Sequence, residues 1–199
     1  MPVNIAVLAS GEGTNLQAII NFNSKLGDAA KGAITLVASN NVSAGALDRA
    51  RTAGIGAEVF DTTDDGTALL SLLAKHSIDL VVLAGYIKHL PPRVTATYHA
   101  RIVNVHPGLL PEFGGAGMYG SKVHTAVLAS GASTSGVSVH FVDDEFDHGP
   151  LIAQWRVPVL DGDDAKSLGA RVLEVEHLVY PRVVEMVAAL NEAEFLADY

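Results

Sequence analysis

Two segments of the chain carry side chains suited to carbonyl chemistry. In Ile102-Val103-Asn104-Val105-His106-Pro107-Gly108 an amide and an imidazole stand one residue apart at the end of an apolar, β-branched run. Alternate side chains of a strand point to the same face, so Asn104 and His106 project together. Pro107 and Gly108 stop the strand and leave the pair at its carboxyl end, where open α/β sheets bind ligands. A second β-branched run ends in Asp143-Asp144-Glu145-Phe146-Asp147-His148-Gly149-Pro150, which brings a carboxylate, Asp147, beside a turn. An amide can polarise a carbonyl, an imidazole can move a proton, and a carboxylate favours the charged imidazole. Asn104 alone is equally compatible with satisfying a strand end, and His106 alone with a buried structural histidine. Their shared face, with Pro107 after them and Asp147 downstream, outlines a site.

The run Ser10-Gly11-Glu12-Gly13-Thr14-Asn15 sits between an apolar stretch, residues 4–9, and Leu16, Ala18, Ile19, Ile20 and Phe22 at helical spacing. Backbone amides at a helix N-terminus suit a phosphate through hydrogen bonds and the helix dipole. A dinucleotide fingerprint needs a third glycine at position 16, which is leucine, and an acidic residue closing the second strand, which ends Ser39-Asn40-Asn41. A triphosphate loop needs Gly-Lys-Ser/Thr, and the loop has no lysine. A plain tight turn with Thr14 as the helix cap is the structural alternative. A monophosphate cradle fits best.

Both segments need a framework to hold them. Strands are expected over residues 4–9, 33–39, 57–60, 79–84 and 101–105. Helices are expected after the glycine loop, over 44–53, over 64–76 with Asp64 or Asp65 as cap, from Pro91-Pro92 to 98, and over 121–129. Residues 136–142 alternate and 151–159 follow a short turn, which reads as an antiparallel hairpin at one sheet edge. A long helix over 163–190 should bend or break near Pro181. The fold class is therefore α/β, a doubly wound, mostly parallel sheet with an antiparallel C-terminal edge and a long C-terminal helix. The Gly- and Pro-rich stretch 108–120 is too long for an idle connection and should shape a binding site. Within it, Leu110-Pro111 is a candidate cis peptide.

At 199 residues the chain reads as one domain; 49% of it is hydrophobic and 18% charged, as in a globular protein. A formal charge of −9 argues against a nucleic-acid partner. The absence of cysteine excludes disulfides, a thiolate nucleophile and a Cys-bound zinc. The first apolar run is too short for a membrane span, and Met1-Pro2-Val3-Asn4 lacks a basic signal region, so a cytoplasmic protein with no membrane partner is expected. His124, His148 and His177 lack ligand spacing, and no metal is expected. His89 and His99 read as surface groups, Trp155 as strand packing, and Asp161-Gly162-Asp163-Asp164 as a solvated turn and helix cap. His140 alternates with core residues and is either a satisfied core imidazole or a neighbour of the site.

Taken together, Ser10 to Gln17, Leu83-Ala84-Gly85-Tyr86, Asn104-Val105-His106-Pro107 with Leu109-Leu110-Pro111, the run from Gly136 to Phe141, Phe146-Asp147-His148-Gly149-Pro150 and Glu176-His177 resemble the phosphoribosylglycinamide formyltransferase family of purine biosynthesis. The resemblance implies transfer of a formyl group from the co-substrate 10-formyltetrahydrofolate to the amine of glycinamide ribonucleotide, without a metal. It also implies roles. Asn104, His106 and Asp147 match the catalytic residues, with His140 as a second-layer partner. Gly13, Thr14 and Asn15 would take the substrate phosphate, and Glu176 would lie at the ribose and amine end of glycinamide ribonucleotide. Ile87, Lys88, His89 and Leu90, with Asp143, Asp144, Glu145, Phe146, Asp147 and Asn104, would line the folate site. A phosphate-binding half, about 1–100, would then adjoin a catalytic and folate-binding half, about 101–190. The partners implied are the two small molecules, and a homodimer is compatible with the pattern. The loop around Gly114 and Gly115 offers no basic residue before Lys122, and the segment around Asp61 offers no arginine, unlike many relatives. Those departures bear on how the folate glutamate is held. The rival readings are a formyltetrahydrofolate hydrolase of the same fold, a methionyl-tRNA formyltransferase, disfavoured by the acidic composition, and a non-catalytic nucleotide-binding module.

Overall fold

A computed structural model describes residues 2–190. Seven strands, β1 (Val3–Leu8), β2 (Gly32–Ser39), β3 (Gly56–Val59), β4 (Leu80–Leu83), β5 (Ile102–His106), β6 (Thr134–Phe141) and β7 (Leu151–Pro158), form one sheet in the order β3-β2-β1-β4-β5-β6-β7. The first five are parallel, and β6 and β7 run antiparallel at the far edge. Between them lie α1 (Thr14–Leu26), α2 (Gly45–Thr52), α3 (Thr67–Lys75), α4 (Pro92–Thr97), α5 (Ser121–Ala129) and α6 (Ala165–Ala189). The sheet is the doubly wound one that the alternation of elements predicts.

β4 is apolar at every position and β1 at every position but Asn4, because both faces of the sheet are covered there. Ile5 and Val7 of β1 and Leu80 and Val82 of β4 pack beneath α1, α2, α5 and α6, while Ala6, Leu8, Val81 and Leu83 pack beneath α3 and α4. On β5, Val103 and Val105 belong to the first core and Ile102 to the second. Asn104 and His106 share the parity of Ile102 and occupy the carboxyl end of the strand. Tyr180, fully buried on α6, places its hydroxyl 2.8 Å from the Leu83 carbonyl and 3.1 Å from that of Val103, tying the long helix to β4 and β5.

Local details depart from the sequence expectations in instructive ways. α3 begins at Thr67 rather than at 64; Gly66, at φ +96°, holds the N-cap position. Asp64 still accepts the N–H groups of Gly66 and Ala68, and Asp65 that of Thr67, so both carboxylates satisfy first-turn donors from outside the helix. Thr14 opens α1 instead of capping it, because Gly13 takes the cap position in the left-handed region at φ +72°. α6 continues unbroken through Pro181, which is buried in the packing of that helix; burial outweighs one lost backbone hydrogen bond. Asp164 and Ser167 form a capping box, as expected, but Asp163 is no solvated residue: both its oxygens take the Arg171 guanidinium, at 2.7 and 2.9 Å. Trp155 is 36% exposed on the edge strand β7, where a strand with one neighbour leaves much of its side chain uncovered.

Candidate active site

Above the carboxyl ends of β4 and β5 opens a cavity of about 630 Å³. Asn104, His106, His140 and Asp147 line its floor. Antiparallel pairing sets Asn104 opposite His140 and His106 opposite Ser138, so β6 delivers a second imidazole beside the pair on β5. Asp147, at φ +55°, a conformation uncommon outside glycine, follows the β6 end and turns its carboxylate between the two rings. One oxygen lies 3.4 Å from His106 Nδ1 and the other 3.6 Å from His140 Nε2. The N–H of Gly115 donates to Asp147 at 3.0 Å. Burial works against ionisation of Asp147, but the His106 imidazole and this N–H outweigh it and hold the carboxyl well below its usual range.

The carbonyl partners fix where the ring protons sit. His106 Nε2 lies 2.8 Å from the Phe113 carbonyl and His140 Nδ1 lies 2.7 Å from that of Phe141, so both nitrogens carry hydrogen. His140 Nε2 is then free to accept from Asn104 Nδ2 at 3.1 Å. That bond orients the amide and leaves its second N–H available. The site thus holds a fixed amide donor above a carboxylate flanked by two imidazoles.

A second brace lies beneath. Ser138 donates to the Gly108 carbonyl at 2.7 Å and accepts from the Leu110 N–H at 3.1 Å, while Gln154 Nε2 reaches both Ser138 Oγ and the Leu110 carbonyl. The Leu110–Pro111 peptide is cis, as its setting suggested. The chain returns so closely that a Cβ on Gly114 would lie 2.3 Å from Leu110 Cδ2 and 3.0 Å from Asp147 Cβ. Sequence reasoning missed Ser138, Gln154, and the backbone groups of Phe113 and Gly115. Ser138 carried a signal, since it shares the parity of His140; backbone groups carry none.

The glycine loop is pinned from behind. The carbonyls of Ser10, Gly11 and Glu12 accept from Asn41 Nδ2, the Ala46 N–H and Arg49 Nε, at 3.2, 3.1 and 2.7 Å. With all three carbonyls engaged by the segment leading into and through α2, the N–H groups of residues 11–15 make no hydrogen bond among the described residues and remain free for an anion. Beyond its place in the loop, Asn15 reaches across the site: its Nδ2 donates to Glu176 at 2.5 Å, and its buried Oδ1 has no partner. Burial pushes Glu176 up to about 7, against the pull of Asn15 and the His106 charge. Asn15 and Glu176 both line the cavity, whereas Thr14 faces the other side of α1.

The remaining expected residues divide. Ile87, Lys88, His89, Leu90, Asp143, Glu145 and Phe146 line the cavity mouth, with the His89 and Phe146 rings in edge contact at 4.8 Å. Asp144 does not: its carboxylate takes the Thr95 hydroxyl, and its carbonyl accepts from His89 Nε2 at 2.9 Å, so it braces the rim instead. His124, on α5, also lines the cavity, with a buried Nδ1 that has no partner. Among the described residues no group of His, Asp and Glu is arranged to hold a metal ion, and no helix is long and apolar enough to cross a membrane.

Residues 3–184 match the formyl transferase family. The chain is 40% identical over 194 residues to the phosphoribosylglycinamide formyltransferase of Escherichia coli (strain K12), covering 94% of this chain and 87% of that protein. It is 42% identical over 187 residues to the chloroplastic phosphoribosylglycinamide formyltransferase of Vigna unguiculata, covering 91% of this chain but 59% of the longer plant protein. The chloroplastic relative from Arabidopsis thaliana is spanned over 65% of its length. Among solved structures, a phosphoribosylglycinamide formyltransferase from Anaplasma phagocytophilum superposes with a TM-score of 0.87 at 35% identity, covering 94% of this chain and 87% of that one. A formyltetrahydrofolate deformylase from Pseudomonas syringae pv. tomato, at 24% identity and a TM-score of 0.81, shares the fold.

Proposed function

The chain belongs to the formyl transferase family, and from that premise we propose that it moves the formyl group of 10-formyltetrahydrofolate onto the amine of glycinamide ribonucleotide in purine biosynthesis. The observation that carries this reading is one cavity shared by an Asn104–His140–Asp147–His106 cluster and, through Asn15, by an anion-ready glycine loop. A phosphorylated amine and a formyl donor are the two reactants such a cavity suits.

In this reading the loop N–H groups of Gly13, Thr14 and Asn15 take the substrate phosphate, and Glu176 faces the amine end. The folate lies along Ile87 to Leu90 and the rim from Asp143 to Asp147. The amine attacks the formyl carbon and the carbonyl oxygen becomes an oxyanion. Asn104, whose spare N–H is fixed by the His140 bond, stabilises that oxygen; one such donor contributes about 3–4 kcal/mol in a preorganised site. The amine proton must travel to the folate nitrogen before the carbon–nitrogen bond breaks, releasing tetrahydrofolate and the formylated amide. His106, paired with Asp147, is the group to relay it.

The test is product formation from both substrates, with each omitted in turn. Formylated glycinamide ribonucleotide should require both, and tetrahydrofolate release should cease without the amine. Equal release of tetrahydrofolate and formate in the absence of the amine overturns the transferase reading in favour of hydrolysis.

A further inference from the structure

A second cavity, of about 520 Å³, runs along the outer face of α1 between α2 and α6. Lys25, Arg49, Arg182 and His177 face it, and no carboxylate does. This concentration of positive charge stands out in a chain of formal charge −9. Neutral partners hold both guanidinium groups in place. Arg49 donates to the Glu12 carbonyl at 2.7 Å and to Gln17 Oε1 at 3.1 Å. Arg182 donates to the Leu178 carbonyl and lies 5.3 Å from the centre of the Phe22 ring. Among the described residues no ion pair reaches Lys25, Arg49 or Arg182. The two guanidinium groups are therefore oriented and none of the three cations is neutralised, and beside them His177 Nε2 is buried without a partner. The wall between the two cavities is thin. Thr14 and His177 face this one, while their chain neighbours Asn15 and Glu176 face the catalytic one.

We propose that this groove is a second anion site, which binds a diphosphate group, free or carried by a nucleotide, apart from the catalytic cavity. Two held guanidinium groups and the Lys25 ammonium around one cavity match an anion whose charge is spread over several oxygens, and the planar forks of Arg49 and Arg182 suit phosphate oxygens. The volume falls in the range of small-molecule sites and exceeds what one phosphate fills. Phe22 and Leu178 offer an apolar wall beside the cations, where the nucleoside of a nucleotide would lie.

Calorimetric titration of the full chain with inorganic diphosphate, then with ADP, tests this. Each titration is run alone and with saturating glycinamide ribonucleotide. One diphosphate should still bind when the substrate is saturating. Lys25→Glu combined with Arg182→Glu should weaken that event by about tenfold or more. Both residues lie outside the catalytic cavity, so turnover without diphosphate should be unchanged. ADP binding tighter than diphosphate identifies the nucleotide as the source; equal affinity identifies free diphosphate. Complete displacement by glycinamide ribonucleotide overturns the proposal, as does unchanged affinity in both the double Glu variant and the corresponding double Ala variant. If glycinamide ribonucleotide fails to bind at all, the activity reading has failed, and the effect of the variants on diphosphate binding still decides this one.

Discussion

Asp147 touches both imidazoles and the Gly115 N–H, so removing its charge disturbs the whole cluster while leaving the shape of the cavity intact. Asp147→Asn is expected to lower turnover by about 10²–10⁴-fold, the range for loss of positioned proton transfer, with little change in glycinamide ribonucleotide affinity by calorimetry. Turnover within a few-fold of wild type would remove Asp147 from the mechanism. Glu176 makes a different prediction, about pH. Its carboxyl is pushed up to about 7 by burial, above the value near 4.3 of an unfolded chain. The unfolded state therefore ionises first as pH rises, and the stability this group contributes below about 4.3 is lost on the way through 7. The shift corresponds to roughly 4 kcal/mol. Asp147, shifted the opposite way, is ionised in both states across that window and adds no slope there. Urea unfolding of wild type and Glu176→Gln from pH 5 to 8 should show the wild type losing stability relative to the variant; parallel curves would contradict the assignment. At this scale much of the cluster was legible. Strand parity and Pro107 singled out Asn104 and His106, but nothing in residue type separates Asp143, which lines the cavity, from Asp144, which Thr95 claims.

Helices and loops were legible where periodicity is strong and blurred where backbone geometry decides. α5 runs over the expected residues, whereas α3 starts late because Gly66 adopts a positive φ that periodicity does not report. The glycine loop shows the same physics with a functional edge. Gly13 sits at φ +72°, and a Cβ there would approach the Cα and Cβ of Ala46 at 2.8 Å. Gly13→Ala must therefore push the loop off α2 and spoil the convergence of its N–H groups. The expected result is a rise of about 10–100-fold in KM for glycinamide ribonucleotide, as one or two charge-assisted hydrogen bonds are lost, with KM for the folate unchanged. Equal effects on both substrates would place the loop elsewhere in the mechanism. α6 makes a stability prediction instead. Tyr180→Phe keeps the ring but leaves buried carbonyls on β4 and β5 without their donor, and should cost about 1–2 kcal/mol by urea denaturation.

In the reading proposed above the molecule divides by role, but its packing is continuous. The glycine loop lies in the first hundred residues and the proposed proton-moving residues Asn104, His106 and Asp147 in the second, with the proposed folate site drawing on both, yet β1, β4 and β5 are adjacent in one sheet. Each of the two cores draws on both halves: Ile5 and Val7 share one with Val103, Val137 and Tyr180, and Leu8 and Leu83 share the other with Ile102. Neither half can unfold without opening both cores, so we expect residues 2–190 to unfold in a single cooperative transition despite the division of labour. Ligand linkage makes this measurable. A ligand that binds only the folded state adds about 2.7 kcal/mol at a concentration 100-fold above its Kd. For a domain of this size each kcal/mol moves Tm by about 2–4 °C. Glycinamide ribonucleotide at that concentration, although it is expected to contact the glycine loop on one side of the sheet, should raise the single calorimetric transition by about 5–10 °C. Near-ultraviolet dichroism at Trp155, on the distant β7 edge, should follow the same shifted curve. Two transitions, with only one moved by the substrate, would mean that the halves fold as separate units and meet only at the cavity.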